Sequence, residues 1–428
     1  MEPRVTELSV FDGERLVGTI HDTSPLSFTY AQEWLERRDA PADGYAIVNI
    51  PLQAGPVATP EVEAVFENLL PEGVLRDMLS KETQSSSTFA LLLAVAGDTA
   101  GGLTLLPAGR TPEAASYKFV DWDYIARHFA GGQQAQPATA PLGSRISLSG
   151  AQAKMLISLD HAGRPMLPMG TTPSTWIVKP NIRGFEKVWS SAVNEAILMR
   201  TAAHCGLGVA EVFFEPTTRA CVVKRFDRTT GPKDTIVRLR QYDFCQLSGT
   251  VSGKKYEMEG GPGVAQCAEL IKTHSVRPGV DLMRLCQWIF FNLYTGNNDS
   301  HAKNLSLYHL PGQGLRLTPF YDLMDTRLYP GLSTQFALRV GGEHEPGKMT
   351  RAHLVAMAAE LNLKPAFILS LAKSMHAKLG PALQQAIAEI EPMLDHSGKA
   401  LAEKLQQHVM SIANKNAARF LDTSVEIN

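Results

Sequence analysis

The order of hydrophobic patterns along the 428 residues predicts an α+β fold, β-rich in its first half and mostly helical in its second. Three observations carry this. Short strand-like runs bounded by turn residues crowd the first part of the chain. Runs with helical spacing fill most of the chain beyond Arg240. The polar stretch Gly131-Gly132-Gln133-Gln134-Ala135-Gln136-Pro137 reads as a linker between modules.

Taken in order, Glu7 to Val10, Arg15 to Ile20 and Tyr45 to Ile50 are strand-like, and Val62 to Leu70, Gly73 to Leu79 and Thr88 to Val95 have helical character. They read as a small α+β module. From Ser144 to Phe226 strand signals dominate at Met155 to Leu159, Thr175 to Lys179 and Val212 to Val223, interrupted by an amphipathic helix over about Ser191 to Cys205. Helices then occupy Val280 to Thr295, Arg351 to Leu361 and Gly398 to Phe420. The one clear β insert among them is the hairpin Leu305 to Tyr308, Pro311-Gly312-Gln313-Gly314, Leu315 to Thr318. No internal repeat is visible.

Composition narrows the function. With 44% hydrophobic residues the chain can bury real cores, and 41 basic against 43 acidic residues provide no global field to attract nucleic acid. The five cysteines are odd in number and never spaced C-x-x-C, so reduced buried thiols are expected rather than disulfides or a zinc site. The start Met1-Glu2-Pro3-Arg4 lacks a signal pattern, and the apolar run from Leu285 to Tyr294 is too short to span a bilayer. A soluble, cytoplasmic protein is the expectation.

The chemistry concentrates in Asn298-Asp299-Ser300-His301-Ala302-Lys303-Asn304, with Phe320-Tyr321-Asp322 downstream. An Asp, an Asn five positions on, and a second Asp beyond a hairpin is the order in which protein kinases arrange a catalytic base and two metal ligands. Phosphoryl transfer needs metal-bound oxygens and a carboxylate for the acceptor hydroxyl converging on one phosphate. Asp299 is the candidate base, and Asn304 and Asp322 are candidate Mg²⁺ ligands. His301 and Lys303 either orient the loop or touch phosphate. The alternative for Asp299 and Asn304 is a capped loop after a helix, since Asn and Asp favour local backbone bonding. With this motif the expected fold becomes bilobal and protein-kinase-like. A small α+β module occupies 1–108, the nucleotide loop and hinge of a β-rich lobe 109–226, and a helical lobe with the catalytic loop 227–428.

Lys179 ends an apolar strand, where a lysine either reaches back to solvent or faces nucleotide phosphates with Glu195 of the next helix as partner. Glu195 is equally readable as a surface charge. Cys221-Val222-Val223-Lys224-Arg225-Phe226-Asp227 is a strand running into a charged break, either an inter-lobe hinge or a solvated turn. Ser147-Leu148-Ser149-Gly150-Ala151-Gln152-Ala153-Lys154 is a loop of mostly small residues, neither G-x-G-x-x-G nor a Walker loop, and by composition an ordinary turn.

Several segments together resemble the HipA toxin kinases, the Ser/Thr kinase half of a bacterial toxin–antitoxin pair. They are Phe66-Glu67-Asn68-Leu69-Leu70-Pro71-Glu72, Ser149 to Lys154, Ile177-Val178-Lys179, Arg225-Phe226-Asp227-Arg228 and Asp243-Phe244-Cys245-Gln246. Gly260-Gly261-Pro262-Gly263, Asp299 to Asn304 and Leu317 to Asp322 complete the set, in the family's order over most of the chain. The resemblance implies a Ser/Thr protein kinase using ATP and Mg²⁺. It places ATP contacts at Ser149, Gly150, Ala151, Gln152, Ala153, Lys154, Lys179, Lys224, Arg225, Phe226, His301, Ala302, Lys303, Asn304, Tyr321 and Asp322, with Asp299 as proton acceptor. It further implies autophosphorylation at Ser147, with Ser149 as the alternative, and phosphate there would repel the nucleotide and switch the kinase off. A HipB-like helix-turn-helix antitoxin is the implied partner, and a translation component, typically an aminoacyl-tRNA synthetase, is the implied substrate of a growth-arresting toxin.

Two departures qualify it. Lys224 stands at a hinge position often acidic in the family, so adenine recognition falls to the backbone of Arg225 and Phe226. The helix after Arg351 reads Ala358-Ala359-Glu360-Leu361-Asn362 and lacks the basic residues some relatives aim at DNA, which leaves DNA contact to the antitoxin. The alternatives are a small-molecule or lipid kinase, whose catalytic loop shares the Asp-x-His-x-x-Asn pattern, and a catalytically silent corepressor.

Overall fold

Alternation in the first strand, Glu7–Asp12, buries Leu8 and Val10 and leaves Glu7 exposed, the pattern of a sheet with one covered face. The computed structural model describes residues 5–37, 46–95, 97–131 and 152–422. The chain forms two compact units. One draws on Met1–Lys179, Lys224–Gly253 and Ser306–Arg316, the other on Pro180–Val223, Lys254–Leu305 and Leu317–Asn428.

In the first unit a six-stranded antiparallel sheet runs in the order Pro56–Ala58, Ser27–Tyr30, Arg15–His21, Glu7–Asp12, Leu103–Pro107, Gly97–Asp98. A Cβ on Gly18 would lie 2.3 Å from the Thr29 carbonyl oxygen, so only glycine lets the neighbouring strand close there. Helix Pro60–Glu67 starts on proline with Glu61 and Glu63 in its first turn, both suited to a helix N-terminus. It packs Phe66 against Phe28, ring centroids 5.7 Å apart.

The residues just after that helix anchor a distant segment of the same unit. Asn68 Nδ2 donates to the Thr250 carbonyl at 2.8 Å, and Glu67 accepts from the Ser252 amide at 2.8 Å and the Ser252 hydroxyl at 2.7 Å. Arg76 also pairs with Glu67. Asp243 caps helix Phe244–Ser248 in a reciprocal box with Gln246, whose side-chain amide donates to the Val65 carbonyl at 2.8 Å. Two further β elements lie in the unit. Tyr117–Phe119, Pro165–Pro168, Met155–Leu159 and Trp176–Lys179 pair in that order, and Gln241–Asp243 pairs with the hairpin Ser306–Leu310 and Gly314–Leu317.

A buried charge cluster lies beneath these strands. Asp98 receives Arg225 at 3.0 Å, Arg228 at 2.7 Å and Arg238 at 3.1 Å, and the Ser174 hydroxyl at 2.7 Å. Asp227 pairs with Arg225 at 2.7 Å and Arg228 at 2.8 Å and accepts the Gly101 amide at 2.8 Å. Burial pushes both carboxyls up, but the surrounding guanidinium charges outweigh it and hold both well below the usual carboxylate range. With three arginines to two aspartates, the guanidiniums are not treated alike. Burial opposes the charge on both Arg225 and Arg228, yet the carboxylates raise Arg225 while Arg228 is pushed down to about 10. Arg228 Nε is also buried without a hydrogen-bond partner, in keeping with its position as the less well matched cation.

The second unit is mostly helical. The stretch Val212 to Val223 is not one strand but a hairpin, Val212–Glu215 with Ala220–Lys224, because Glu215 folds back to accept the Thr218 amide at 2.6 Å. Helix Ser191–His204 is where expected but not amphipathic. Eleven of its residues, from Ser191 to Ala202, are buried, Asn194 and Glu195 among them. Helices Val264–His274, Pro278–Thr295, Arg351–Glu360, Pro365–Ile390 and His396–Phe420 make up most of the rest. Trp288 stacks on Phe320, centroids 6.1 Å apart, within their core.

Two more expectations change. Residues 46–50 do not form a strand. Asn49 is left-handed at φ +59°, and the Tyr30 hydroxyl bonds both the Ile47 amide and the Ile50 carbonyl at 2.9 Å, so both isoleucines are buried through a turn before Pro51. Tyr45, like 132–151 of the expected linker and loop, lies outside the described residues. A short hairpin, Arg228–Thr230 with Ile236–Arg238, was not expected, although Gly231-Pro232 between β-branched runs is its signal.

All five cysteines are free and buried, as expected. No helix among the described residues is long and apolar enough to cross a membrane.

Removing one charge from the buried cluster strands its partners. Asp98→Asn is expected to cost about 3–5 kcal/mol at neutral pH. Asp98 titrates lower folded than unfolded, so its contribution is full above about pH 4 and is lost as pH falls further. Urea-unfolding midpoints should therefore separate parent and variant widely at pH 7 and progressively less below about pH 4.

Candidate active site

Helix Pro278–Thr295 ends at Gly296, whose φ of +76° turns the chain out of the helix. A Cβ there would fall 2.7 Å from an Asp325 carboxylate oxygen, so this turn has room for glycine alone. Asn297 then organises the loop beyond it. Its Nδ2 donates to Asn292 Oδ1 at 2.9 Å and reaches the Asp322 carbonyl at 3.4 Å, while its Oδ1 accepts the Asp299 amide at 3.3 Å. Asn298 is tied by its amide to the Thr326 hydroxyl at 2.9 Å and by its side chain to the Ser333 carbonyl at 3.0 Å. Between the buried Asn298 and Ser300, Asp299 alone is exposed.

The five-residue spacing has a local cause. A single 3₁₀ turn, Ala302–Asn304, brings the Asn304 side chain back so that Nδ2 donates to the Asp299 carbonyl at 2.9 Å. The same bond turns Oδ1 to the opposite end of the amide. Tyr321 closes the group by donating its hydroxyl to the Lys303 carbonyl at 2.8 Å, and Asp322 comes next in a left-handed conformation at φ +60°, exposed. A non-glycine residue held at positive φ is strain that surrounding structure must sustain, and here it falls on the expected metal ligand.

Asp299, Asn304, Tyr321 and Asp322 thus belong to one hydrogen-bonded constellation. One carboxylate with one amide oxygen is a hard, all-oxygen donor pair of the kind that would suit Mg²⁺. Among the described residues no cluster of three or more His, Cys, Asp or Glu forms a metal site of another kind.

The remaining candidates divide between the two units. Lys179 and Lys154 are buried in the first, so neither reaches freely into solvent. Glu195 is buried in the second and is not a surface charge. Lys224 is exposed with Nζ 5.6 Å from the Trp176 ring centroid. Arg225 donates its backbone amide to the Thr175 carbonyl at 2.9 Å and its side chain to the ion cluster, so its amide is already committed. Phe226 meets Tyr308 edge-on at 6.1 Å. His301, Ala302 and Lys303 are buried in the loop. Gln152 and Ala153 are half-buried, whereas Ser147, Ser149, Gly150 and Ala151 lie outside the described residues.

Sequence reasoning missed three contributors. Tyr256 donates its hydroxyl to Asp299 Oδ1 at 2.5 Å, Asn297 links Asp299 to Asp322, and Asp325, with its Oδ2 2.6 Å from His408 Nδ1, backs the turn at Gly296. Only Asn297, beside the motif, had any signal. Tyr256 is distant in sequence, and Asp325, three residues after Asp322, acts through a contact with Gly296 that spacing does not reveal.

Gly296→Ala is expected to lower stability by about 1–3 kcal/mol, since it adds a strained conformation to a contact with a buried carboxylate. Urea unfolding of the purified variant measures it.

Residues 146–383 match the model of the HipA-like C-terminal domain and 8–106 that of the HipA N-terminal domain. A Sinorhizobium fredii protein with a provisional kinase name, Y4mE, is 36% identical over 79% of this chain and 81% of its own. The serine/threonine-protein kinase toxin HipA of Shewanella oneidensis is 29% identical over 89% of this chain and 88% of its own. A chain of the solved complex of Shewanella oneidensis HipA, HipB and operator DNA superposes with a TM-score of 0.81 at 24% identity, covering 98% of this chain and 100% of that one, and shows the same fold. With one family model alone spanning more than half of its length, the chain belongs to the HipA family.

Proposed function

We propose that this chain is an ATP- and Mg²⁺-dependent Ser/Thr protein kinase that acts as the toxin of a toxin–antitoxin pair. The observation that carries this reading is the single constellation joining Asp299, Asn304 and Asp322. Relatives named as kinases support it.

In this reading Asp299 orients the acceptor hydroxyl and takes its proton as the phosphoryl group transfers. It is exposed, as a residue that meets a protein substrate must be. Asn304 Oδ1 and the Asp322 carboxylate hold Mg²⁺, which neutralises charge on the transferring phosphate when bound. Lys179 and Lys154 bind nucleotide phosphates. Burial suits this role, because a lysine shielded from water interacts more strongly with an anion. Lys224, Arg225 and Phe226 form the hinge, with the Arg225 amide excluded as an adenine donor by its bond to Thr175.

Ser147 is the autophosphorylated residue, with Ser149 as its alternative, and the target is a translation component, an aminoacyl-tRNA synthetase in the narrower form. A HipB-like helix-turn-helix antitoxin neutralises the toxin and carries the DNA contacts. Support for that partner comes from the Shewanella HipA complex, which contains HipB and operator DNA. The functional division runs 1–108, 109–226 and 227–428, and the protein works in the cytoplasm.

Phosphoproteomics after brief induction, comparing the intact chain with Asp299→Asn, tests this. The intact chain should label its own Ser147 or Ser149 and a translation protein. The variant should lose about 10²–10⁴-fold of both signals and no longer arrest growth. Undiminished arrest and labelling by Asp299→Asn would refute the assignment.

A further inference from the structure

Tyr256 stands 43 positions before Asp299, yet its hydroxyl donates to Asp299 Oδ1 at 2.5 Å, the length of a charge-assisted O–H···O bond. Its ring is wedged edge-on against His301 of the same loop, centroids 5.1 Å apart and planes at 84°. The backbone is held as firmly as the ring. The Glu257 amide donates to the Ala337 carbonyl at 3.4 Å, and the Ala337 amide to the Asn298 carbonyl at 3.1 Å. Tyr256, Glu257, Ala337, Asn298 and Asp299 therefore close a ring of contacts around the carboxylate. Glu257 adds a further tie by accepting the Arg339 amide at 2.6 Å.

The four residues Gly260-Gly261-Pro262-Gly263 make that ring possible. Gly260 is left-handed at φ +94°, a Cβ on Gly261 would lie 2.2 Å from the Lys254 carbonyl oxygen, and one on Gly263 would lie 2.6 Å from the Glu257 carboxyl carbon. The Gly261 amide returns to the Tyr256 carbonyl at 2.9 Å. A side chain at 261 would push the Tyr256 segment off its seat, and one at 263 would press on the Glu257 carboxylate.

We propose that Tyr256 is a positioning residue for Asp299, and that Gly260-Gly261-Pro262-Gly263 serves to seat it. This rests on the reading of Asp299 as the proton acceptor. A carboxylate offers two oxygens and about four lone-pair directions. A phenol fixed on Oδ1 sets the rotation of the group and directs its remaining acceptor capacity at the incoming Ser or Thr hydroxyl. The phenol is a fixture and not itself an acceptor of phosphate, because its ring is packed on His301 and its carbonyl accepts the Gly261 amide.

Single-turnover transfer of label from γ-labelled ATP, with Mg²⁺, to the purified full chain and to proteins of a cell lysate tests the proposal. Tyr256→Phe keeps the ring against His301 and removes only the donor. The transfer rate should fall about 10- to 100-fold, as misorientation of a reacting group does, while KM for ATP stays within about two-fold. Gly261→Ala, whose Cβ would run into the Lys254–Tyr256 backbone, should show the same split. Parental transfer rates in Tyr256→Phe overturn the positioning role alone. Parental rates in Asp299→Asn remove the base itself and the proposal with it. Label recovered on Tyr256 would make it a phosphate acceptor and overturn the proposal by another route.

Discussion

Two buried guanidiniums and a half-buried third, shared between two buried carboxylates, constrain the first unit more than any other interaction. Charges taken out of water cost several kcal/mol each unless their geometry is nearly complete. Here Asp98 comes from the edge strand of the N-terminal sheet, Ser174 lies just before the Lys179 strand, and Arg225, Asp227 and Arg228 lie at and just after the end of the strand Ala220–Lys224. None of these segments can shift without leaving a charge unmatched. Such a cluster is weak evidence for net stability and stronger evidence for a single arrangement of strand, hinge and N-terminal module within the unit. The excess cation is visible in Arg228, driven down while Arg225 is driven up.

In the second unit neutral hydrogen bonds do the equivalent work. The loop holding Asp299 is defined by amides: Asn297 across to Asp322, Asn298 to the Thr326 and Ser333 segment, and Asn304 back to Asp299. Amide side chains donate and accept at once, so each can bridge two backbone segments without introducing charge. Asp299 is thereby exposed while its backbone is held in place. Electrostatic preorganisation depends on such a division between a fixed frame and an accessible reacting group.

Several family-like segments are framework and not reacting groups. Glu67 and Asn68 fasten the N-terminal module to residues 250–252, and Asp243 and Gln246 cap a helix and grip Val65. Arg225 and Asp227 lie in the ion cluster. A motif shared with a family therefore marks closely packed polar contacts as readily as catalysis. Asp299 and Asp322 face outward, whereas Glu67, Asn68, Arg225 and Asp227 are buried.

Local elements and the order of the candidate site residues are legible in the sequence. The hairpin before Asp322, the helix ending at Thr295 and the Asp299–Asn304 turn depend on periodicity, glycine and proline placement and short-range bonding, all of which are written within a few residues. The misread elements fail for tertiary reasons. Residues 46–50 turn because Tyr30 captures both ends, and the helix of Glu195 is buried on nearly every side, so its polar residues do not mark a solvent face. The order Asp299, Asn304, Asp322 is readable without the fold, since spacing along one loop and the hairpin after it is a local property. Only the tertiary structure decided that Tyr256 holds Asp299, that Asn297 joins Asp299 to Asp322 and that Asp98 gathers three arginines. Those contacts join positions whose separation in sequence leaves no periodic trace, and burial of polar groups is settled only when the partners that satisfy them arrive.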